Sequence, residues 1–584
     1  MKRPFYFCVI AFATLLVAAA PALAAAEQPA DEEPQPIAIT RSGLHQLRDA
    51  DPNLTGEGVR FAVVSRSFTY TDKEPQNDYR PNISHNCFSN NEIVFHDGGH
   101  APAGISPHST AICSILLGED TDAFYPNLGQ FHYQGAAPQA QADVYEFWYF
   151  LINEVFPHRR PNADILTASI GNQSEDWWTR GIEALAEHYG LIVVAGTGNG
   201  SDAYDPLLYP GAGANVIGVG VVDSVESDDM VTSLSQFALA YPEHSSVGPT
   251  SDGRCKPDIV APGNCLAADI DDPNRYEATG SWSSFSTPIV AGAIGLLVEK
   301  AKQDPNLNPA VSSAGGNCVI KAILLNSATK LPYWHKGRLE KDDDHQAPLD
   351  CIQGAGMLNA VGAYEHLTAG RNKPGDAPQT GWDLNHLEKR ERPENTYSIT
   401  VSQPAGTLIT ATAVWNRHFT RIYPFERIPE KDADLRLELW AVDPNDPNND
   451  YIVDYSDSNT DNLEHIYCRT DANYTDYEIV LSFSDIEEAD LKGMIARYGL
   501  AWNVSEPQDD DSIFWYDLNA DGIVDDLDLG TLIDYWIGTV QTPNGYFLGD
   551  VNGNGEFDAA DVESFLSHKN DQADWYSPQA NKPD

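Results

Sequence analysis

Positive charge is scarce in this chain: 36 Lys and Arg stand against 86 Asp and Glu in 584 residues, a formal net charge of −50. That balance excludes a nucleic-acid partner, whose binding rests on neutralisation of phosphates by Lys and Arg. It suits divalent cations and a salty exterior instead. Long apolar runs are lacking too, except at the start. There Lys2 and Arg3 precede an apolar stretch from Phe5 to Ala20, closed by Pro21-Ala22-Leu23-Ala24, the small-residue pattern of a signal-peptidase site. The reading is a signal peptide over residues 1–24, with an uncleaved anchor as the alternative, since the Ala-rich run approaches the ~20 residues that span a bilayer. No later segment is long and apolar enough to cross one. The mature chain, at −52 once Lys2 and Arg3 leave, is therefore expected to be secreted, extracellular or cell-surface associated, without a membrane span.

Cysteine is sparse and odd in number after cleavage: Cys87, Cys113, Cys255, Cys265, Cys318, Cys351 and Cys468. In an oxidising compartment, Cys255 with Cys265 and Cys318 with Cys351 are plausible bridges across short loops, although sequence cannot fix the pairing. Cys113 lies on an apolar helical stretch and reads as a buried thiol.

The length excludes one compact core. From Gly56 to about Gly370, short apolar runs such as 165–170 and 191–195 alternate with helical patterns, the rhythm of a largely parallel α/β sheet. From residue 375 to 504 the period becomes two, as in Leu435-Arg436-Leu437-Glu438-Leu439-Trp440, with Asn/Asp/Pro turns between, which reads as a β-sandwich. An acidic linker, 505–512, leads to a small module over 513–570 and a polar tail, 571–584, expected to be disordered.

Three segments carry candidate chemistry. Ser283-Ser284-Phe285-Ser286-Thr287-Pro288 enters an apolar helix, placing Ser284 at a helix mouth where amides and macrodipole favour a developing oxyanion. Alone, such a segment is more often only an N-cap. His108-Ser109-Thr110 opens a second apolar helix, and Val193-Val194-Ala195-Gly196-Thr197-Gly198-Asn199 ends a buried strand.

Together, in the order His, Asn, Ser, these segments resemble the subtilisin-like serine proteases (subtilases), over about residues 40–370. Lys256-Pro257-Asp258-Ile259-Val260-Ala261-Pro262-Gly263, Ser169-Ile170-Gly171 and Gly354-Ala355-Gly356-Met357-Leu358-Asn359 support the likeness. The resemblance implies Ser284 as nucleophile, His108 as base and Asn199 as oxyanion donor in acyl transfer, with Ser169, Ile170 and Gly171 beside the substrate backbone. It implies a serine endopeptidase acting on protein or peptide.

The likeness breaks where subtilases place the triad Asp at the end of the first strand. Here that strand ends in Ser65. A serine can hold a histidine tautomer but supplies no charge to stabilise the imidazolium, a loss of about 10⁴ in turnover, or about 5.4 kcal/mol. Asp72, Asp78 and Asp97 are near in sequence, which by itself does not bring them to His108. Trp282-Ser283 stands where Gly-Thr is expected before the nucleophile, and Ser109 where Gly usually follows the base. About thirty residues separate the expected cleavage site from the first strand, too few for a folded pro-domain. An inactive subtilase fold retained for peptide binding or as a structural module is therefore the alternative function. The 405–504 region resembles the sandwich that follows the catalytic domain in secreted subtilases. It implies a stabilising or orienting role, and Trp415 and Trp440 read as core rather than as a carbohydrate surface.

The C-terminal pattern is exact in its repetition. Asp517, Asn519, Asp521, Asp525 and Asp528, with Gly522, recur as Asp550, Asn552, Asn554, Asp558 and Asp561, with Gly555. Oxygen ligands at loop positions 1, 3, 5, 9 and 12 and Gly at 6 are what Ca²⁺ requires, Ile523 and Glu556 adding backbone carbonyls. Two calcium sites are expected, the first tighter because it carries four carboxylates against three. Each loop runs into one helix, Leu529, Leu532 and Ile533 matching Val562, Phe565 and Leu566, and no entering helix precedes Asp517. That resembles a type I dockerin, all-α, which implies a cohesin-type partner on a scaffold or surface protein.

Overall fold

The computed structural model describes residues 34–66, 70–71, 74–75, 78–98, 104–126, 128–200, 206–224, 234, 237–240, 244–331, 334–337, 343–402, 407–471, 473–484, 494–505, 516, 518, 523–541, 551 and 559–571. The expected signal peptide, most of the linker and tail, and Asp72, Asp517, Asn519, Asp521, Asp550, Asn552, Asn554, Glu556 and Asp558 lie outside the described residues.

The first unit is built on β1 (Arg60–Ser65), β2 (Ile93–His96), β3 (Gln141–Glu146), β4 (Ile165–Ala168), β5 (Ile192–Gly196), β6 (Ile217–Ser224), β7 (Phe237–Ala240) and β8 (Ile259–Pro262). They join in the order β7-β6-β5-β4-β1-β3-β2, with β8 on β6. Seven of the eight run parallel; only β7 is antiparallel to its neighbour. β1 lies between β3 and β4, with Val63 opposite both Val144 and Thr167. Strands of such a sheet are buried on both faces, and β4, β5 and β8 are buried at every position. Helices α1 (Pro107–Leu117), α2 (Trp177–Tyr189), α3 (Ser283–Gln303) and α4 (Gly316–Asn326) cover the sheet. Because all seven parallel strands point the same way, the residues that follow them gather at one edge.

The strand-rich second unit has β9 (Gly381–Glu388), β10 (Glu394–Thr400), β11 (Leu408–Trp415), β12 (Leu435–Val442), β13 (Tyr451–Ser456), β14 (Leu463–Arg469), β15 (Asp476–Phe483) and β16 (Ile495–Ser505). One sheet runs β10-β15-β12-β13, with a short strand at Gly375–Asp376 on its edge; the other runs β9-β16-β11-β14. Period-two sequence becomes one buried face: Leu435, Leu437, Leu439 and Ala441 are fully buried and share a core with Ile409, Trp415 and Trp502 from the other sheet. Trp415 is therefore core, whereas Trp440 lies on the other face of β12, half-buried, its Nε1 donating to Glu438 Oε2 (2.8 Å). β11 is buried at all eight positions because its other face meets α4. There Asn326 Nδ2 donates to Thr410 Oγ1 (3.0 Å) and Thr412 Oγ1 to Asn326 Oδ1 (2.9 Å).

The cysteines correct the spacing argument: all seven are thiols. Cys255 and Cys265 flank strand β8, whose four extended residues span ~13 Å, beyond the ~7 Å that a disulfide bridges. Cys318 is buried in α4, and Cys351 lies instead against Cys255. Cys113 is a buried thiol, as its helical setting suggests.

Candidate active site and calcium module

Each candidate side chain is set by a local reason. α1 starts at Pro107, whose fixed φ suits a first helical position, and Ser106 caps it by accepting from Ser109 N–H (3.2 Å). His108 is therefore the second residue of α1, and its ring sits 6.1 Å from that of Phe285. Ser284 is the second residue of α3, half-exposed at its mouth. Its carbonyl would ordinarily accept from residue 288, but Pro288 has no N–H to give. Ser169, just past β4, fills the vacancy: its Oγ donates to Ser284 O at 2.8 Å. Ile170 beside it is buried, and Gly171 is packed so closely on Leu208 and Tyr209 that a side chain would clash.

Asn199 follows β5 through Gly198, which has φ +117° and lies against Ser246 too tightly for a Cβ. Its Oδ1 accepts from Ser283 N (2.9 Å) and Ser283 Oγ (2.7 Å). A backbone N–H can only donate, so the amide's carbonyl end faces Ser283 and its NH₂ end is turned to donate elsewhere. The sequence reading marked Ser283 only as a departure from the expected Gly-Thr and missed its contact with Asn199, which lies 84 residues away in sequence.

Burial pushes the His108 imidazole down to about 4. Ser65, at the end of β1 and buried, is hydrogen-bonded through Oγ to the Ser109 hydroxyl. Of the acids near β1, Asp97 accepts from Tyr79 OH (2.7 Å) and pairs with Arg80. Trp282 is 39% exposed, edge-on to His244 at 5.7 Å, and His244 Nδ1 is 2.6 Å from Asp223 Oδ2. That pair, far apart in sequence, is also invisible to motif reading. The Lys256-Pro257-Asp258 stretch is structural: buried Asp258 accepts from Gly218 N (2.7 Å) and pairs with Lys256 and Lys321, tying β6 to β8.

This constellation, a helix-borne serine and histidine and a strand-end asparagine at one edge of a parallel sheet, agrees with the family model for the subtilase family, which matches residues 55–356. The chain belongs to the subtilase family. Among its relatives, Serine protease AprX of Bacillus subtilis is 28% identical over 350 residues, covering 53% of this chain and 66% of that protein. Pyrolysin of Pyrococcus furiosus is 25% identical over 391 residues, covering 54% and 26% respectively. Subtilisin-like protease SBT6.1 of Arabidopsis thaliana is 30% identical over 216 residues, covering 35% and 17%. This subtilase thus spans less than two thirds of the length of each of these relatives.

A second family model, dockerin type I domain, matches residues 515–565. The described part has α5 (Asp526–Gln541) and α6 (Ala559–His568) around a small core of Tyr516, Val524, Leu532, Val551 and Phe565. The repeat extends to exposure: Leu532 and Phe565 are buried, whereas Ile533 and Leu566 are 49% and 52% exposed. Val524 pairs with the far end of the module, its N–H donating to Asp571 O (3.0 Å) and its carbonyl accepting from Asn570 N (2.8 Å). Of the loop residues described, Asp528 accepts from Asp525 N (2.8 Å), and Asp528 and Asp561 are fully buried. Ile523 is half-buried. Among the described residues no helix is long and apolar enough to cross a membrane.

Proposed function

We propose that this subtilase is a secreted serine endopeptidase that cleaves peptide bonds by Ser-His acyl transfer, carries Ser65 at the triad-acid position, and is tethered through its calcium-loaded dockerin to a cohesin-type domain. The domain limits proposed are residues 1–24 for the signal peptide, 40–370 for the peptidase, 375–504 for a β-sandwich, 505–512 for the linker, 513–570 for an all-α dockerin and 571–584 for the tail.

The observation that carries the reading is the locked Asn199 amide. With its carbonyl held twice by Ser283, the NH₂ end is preorganised to meet an oxyanion, the largest single contribution in acyl transfer. Ser284 Oγ attacks the peptide carbonyl, His108 takes its proton and returns it to the leaving amine, and Ser169, Ile170 and Gly171 align the substrate backbone. His108 is neutral above about pH 4 and so is competent to accept that proton at neutral pH, though as a weak base.

The donor set of the C-terminal loops fits Ca²⁺. Asp517, Asn519, Asp521, Ile523 carbonyl, Asp525 and Asp528 form one proposed set, and Asp550, Asn552, Asn554, Glu556 carbonyl, Asp558 and Asp561 the other. Asp528 and Asp561, at position 12 of their loops, are fully buried, where a carboxylate can serve as an oxygen ligand. The exposed Ile533 and Leu566 supply matched apolar contacts for a cohesin-type partner.

One observation favours the second reading, an inactive fold kept for peptide binding: the buried side chain at the triad-acid position, Ser65, is an uncharged hydroxyl engaged with Ser109. Hydrolysis of a fluorogenic peptide library by the mature protein, beside Ser284→Ala, decides between them. Turnover lost in Ser284→Ala supports the endopeptidase; peptide binding with no turnover in either protein supports the second reading.

A further inference from the structure

The chain brings together two thiols that lie far apart in sequence. Cys255 precedes Lys256-Pro257-Asp258 and is buried; Cys351 lies in the turn 350–354 and is half-buried. Cys255 Sγ donates to Leu349 O at 3.4 Å, two residues before Cys351. Gly248 N donates to Cys351 O at 2.8 Å, so the segment leading to Cys255 and the turn carrying Cys351 are stitched on both sides of the thiols. Cys351 packs against the buried cluster that contains Cys255. The same turn continues onto β8, with Ala355 N donating to Asp258 O (2.8 Å), Val260 N to Gly356 O (3.0 Å) and Leu358 N to Val260 O (2.9 Å). Both backbones are therefore anchored on either side of the two thiols, which holds the turn 350–354 beside the segment that carries Cys255.

We propose that Cys255 and Cys351 are a redox pair that closes into a disulfide when the protein meets an oxidising exterior, with a small-molecule disulfide such as oxidised glutathione as oxidant. Cys351, the more exposed, attacks first as its thiolate. One S–S bond of glutathione breaks, a mixed disulfide forms and one glutathione thiolate leaves. The Cys255 thiolate then attacks the Cys351 sulfur and expels the second glutathione. Two protein thiols are oxidised, one glutathione disulfide is reduced, and the two protons end on the two glutathione thiols. The closed loop spans residues 255–351 and encloses β8, α3 and α4. It pins the turn 350–354 to the entrance of β8, on the peptidase side of the contact with Asp461, whose Oδ1 accepts from Cys255 N (3.0 Å). The remaining five cysteines stay reduced.

The test is peptide mapping of the full mature chain after equilibration with oxidised glutathione, acid quench, unfolding and alkylation. The expected result is one cross-linked peptide joining Cys255 and Cys351, with Cys87, Cys113, Cys265, Cys318 and Cys468 alkylated. Reduction with dithiothreitol should lower the thermal midpoint of the wild type by several degrees, since a long closed loop constrains the unfolded chain. It should leave Cys351→Ser unmoved, a variant at the half-exposed position that spares the buried one. Alkylation of both cysteines after oxidation, or a bridge between Cys255 and Cys265, overturns the proposal.

Discussion

Asn199 Oδ1 accepts two hydrogen bonds from Ser283, one from its N–H at 2.9 Å and one from its hydroxyl at 2.7 Å. Two residues separated in sequence by three strands of the central sheet, β6, β7 and β8, thus fix which end of an amide faces the mouth of α3. Asn199→Ala is expected to lower kcat about 100- to 1000-fold with KM little changed, the usual loss for an oxyanion donor. Ser283→Ala keeps the N–H bond and loses the hydroxyl bond, so its loss of kcat should be smaller and Ser283→Thr should recover it. Steady-state kinetics on one peptide substrate check all three.

The hydroxyl pair Ser65–Ser109 marks the second place where activity can be moved. Ser65→Asp combined with Ser109→Gly supplies a carboxylate and removes the group that now engages it. Turnover should rise by about 10²- to 10⁴-fold, the range that the triad charge commands. The acid limb of kcat/KM reports the base: in the parent it is expected near pH 4, where burial puts His108. In the double variant it should move up, because a nearby negative charge stabilises the imidazolium. No gain in rate and no shift of the limb would show that Ser65 does not stand in the acid's place.

Much of this was legible in sequence because it is local. Val193 to Asn199 reads as a buried strand and its exit, Pro107-His108 as a helix start, and Leu435 to Trp440 as a half-buried strand, each from periodicity and turn chemistry within a few residues. The contacts that tune the site are not local. Ser169 finds the Ser284 carbonyl only because Pro288 leaves it without a donor. Cys255 meets Cys351 rather than Cys265 because a strand separates the near pair and a returning turn supplies the distant one. In the dockerin the 33-residue repeat reveals the loops, but not that Val524 clasps Asn570 and Asp571.

Calcium removal gives a third expectation. Chelation should unfold the dockerin while the peptidase and strand-rich units, which share buried residues, keep their transition, since the dockerin's core is separate from theirs. Asp528→Ala should weaken the site with four carboxylates, and Asp561→Ala the other. Calorimetric titration of the wild type should resolve two affinities, the tighter one lost in Asp528→Ala; equal sites, or folding indifferent to calcium, would contradict the assignment.

Stability should fall with acid through buried histidines. His366 accepts from Asn326 Nδ2 at Nε2 (3.0 Å) and faces Gly362 O through Nδ1 (2.8 Å), so its neutral tautomer is the one that fits. Burial lowers it to about 4, below the ordinary value near 6.5. The unfolded chain therefore binds the extra proton between these limits, and stability rises with pH across that window. One such group contributes about 3 kcal/mol, lost as pH falls from about 6.5 to about 4. Urea midpoints of the wild type against His366→Gln measure it, the slope with pH being shallower in the variant.

The most direct measurement is covalent labelling of the mature, calcium-loaded protein with a fluorophosphonate probe, followed by peptide mapping, with Ser284→Ala and His108→Ala as partners. An activated Ser284 is expected to be the labelled residue in the wild type, with labelling sustained from neutral pH down to about pH 5, much slower in His108→Ala and absent in Ser284→Ala. A folded wild type that takes up no probe at any pH, or takes it up equally in Ser284→Ala, would contradict the endopeptidase reading.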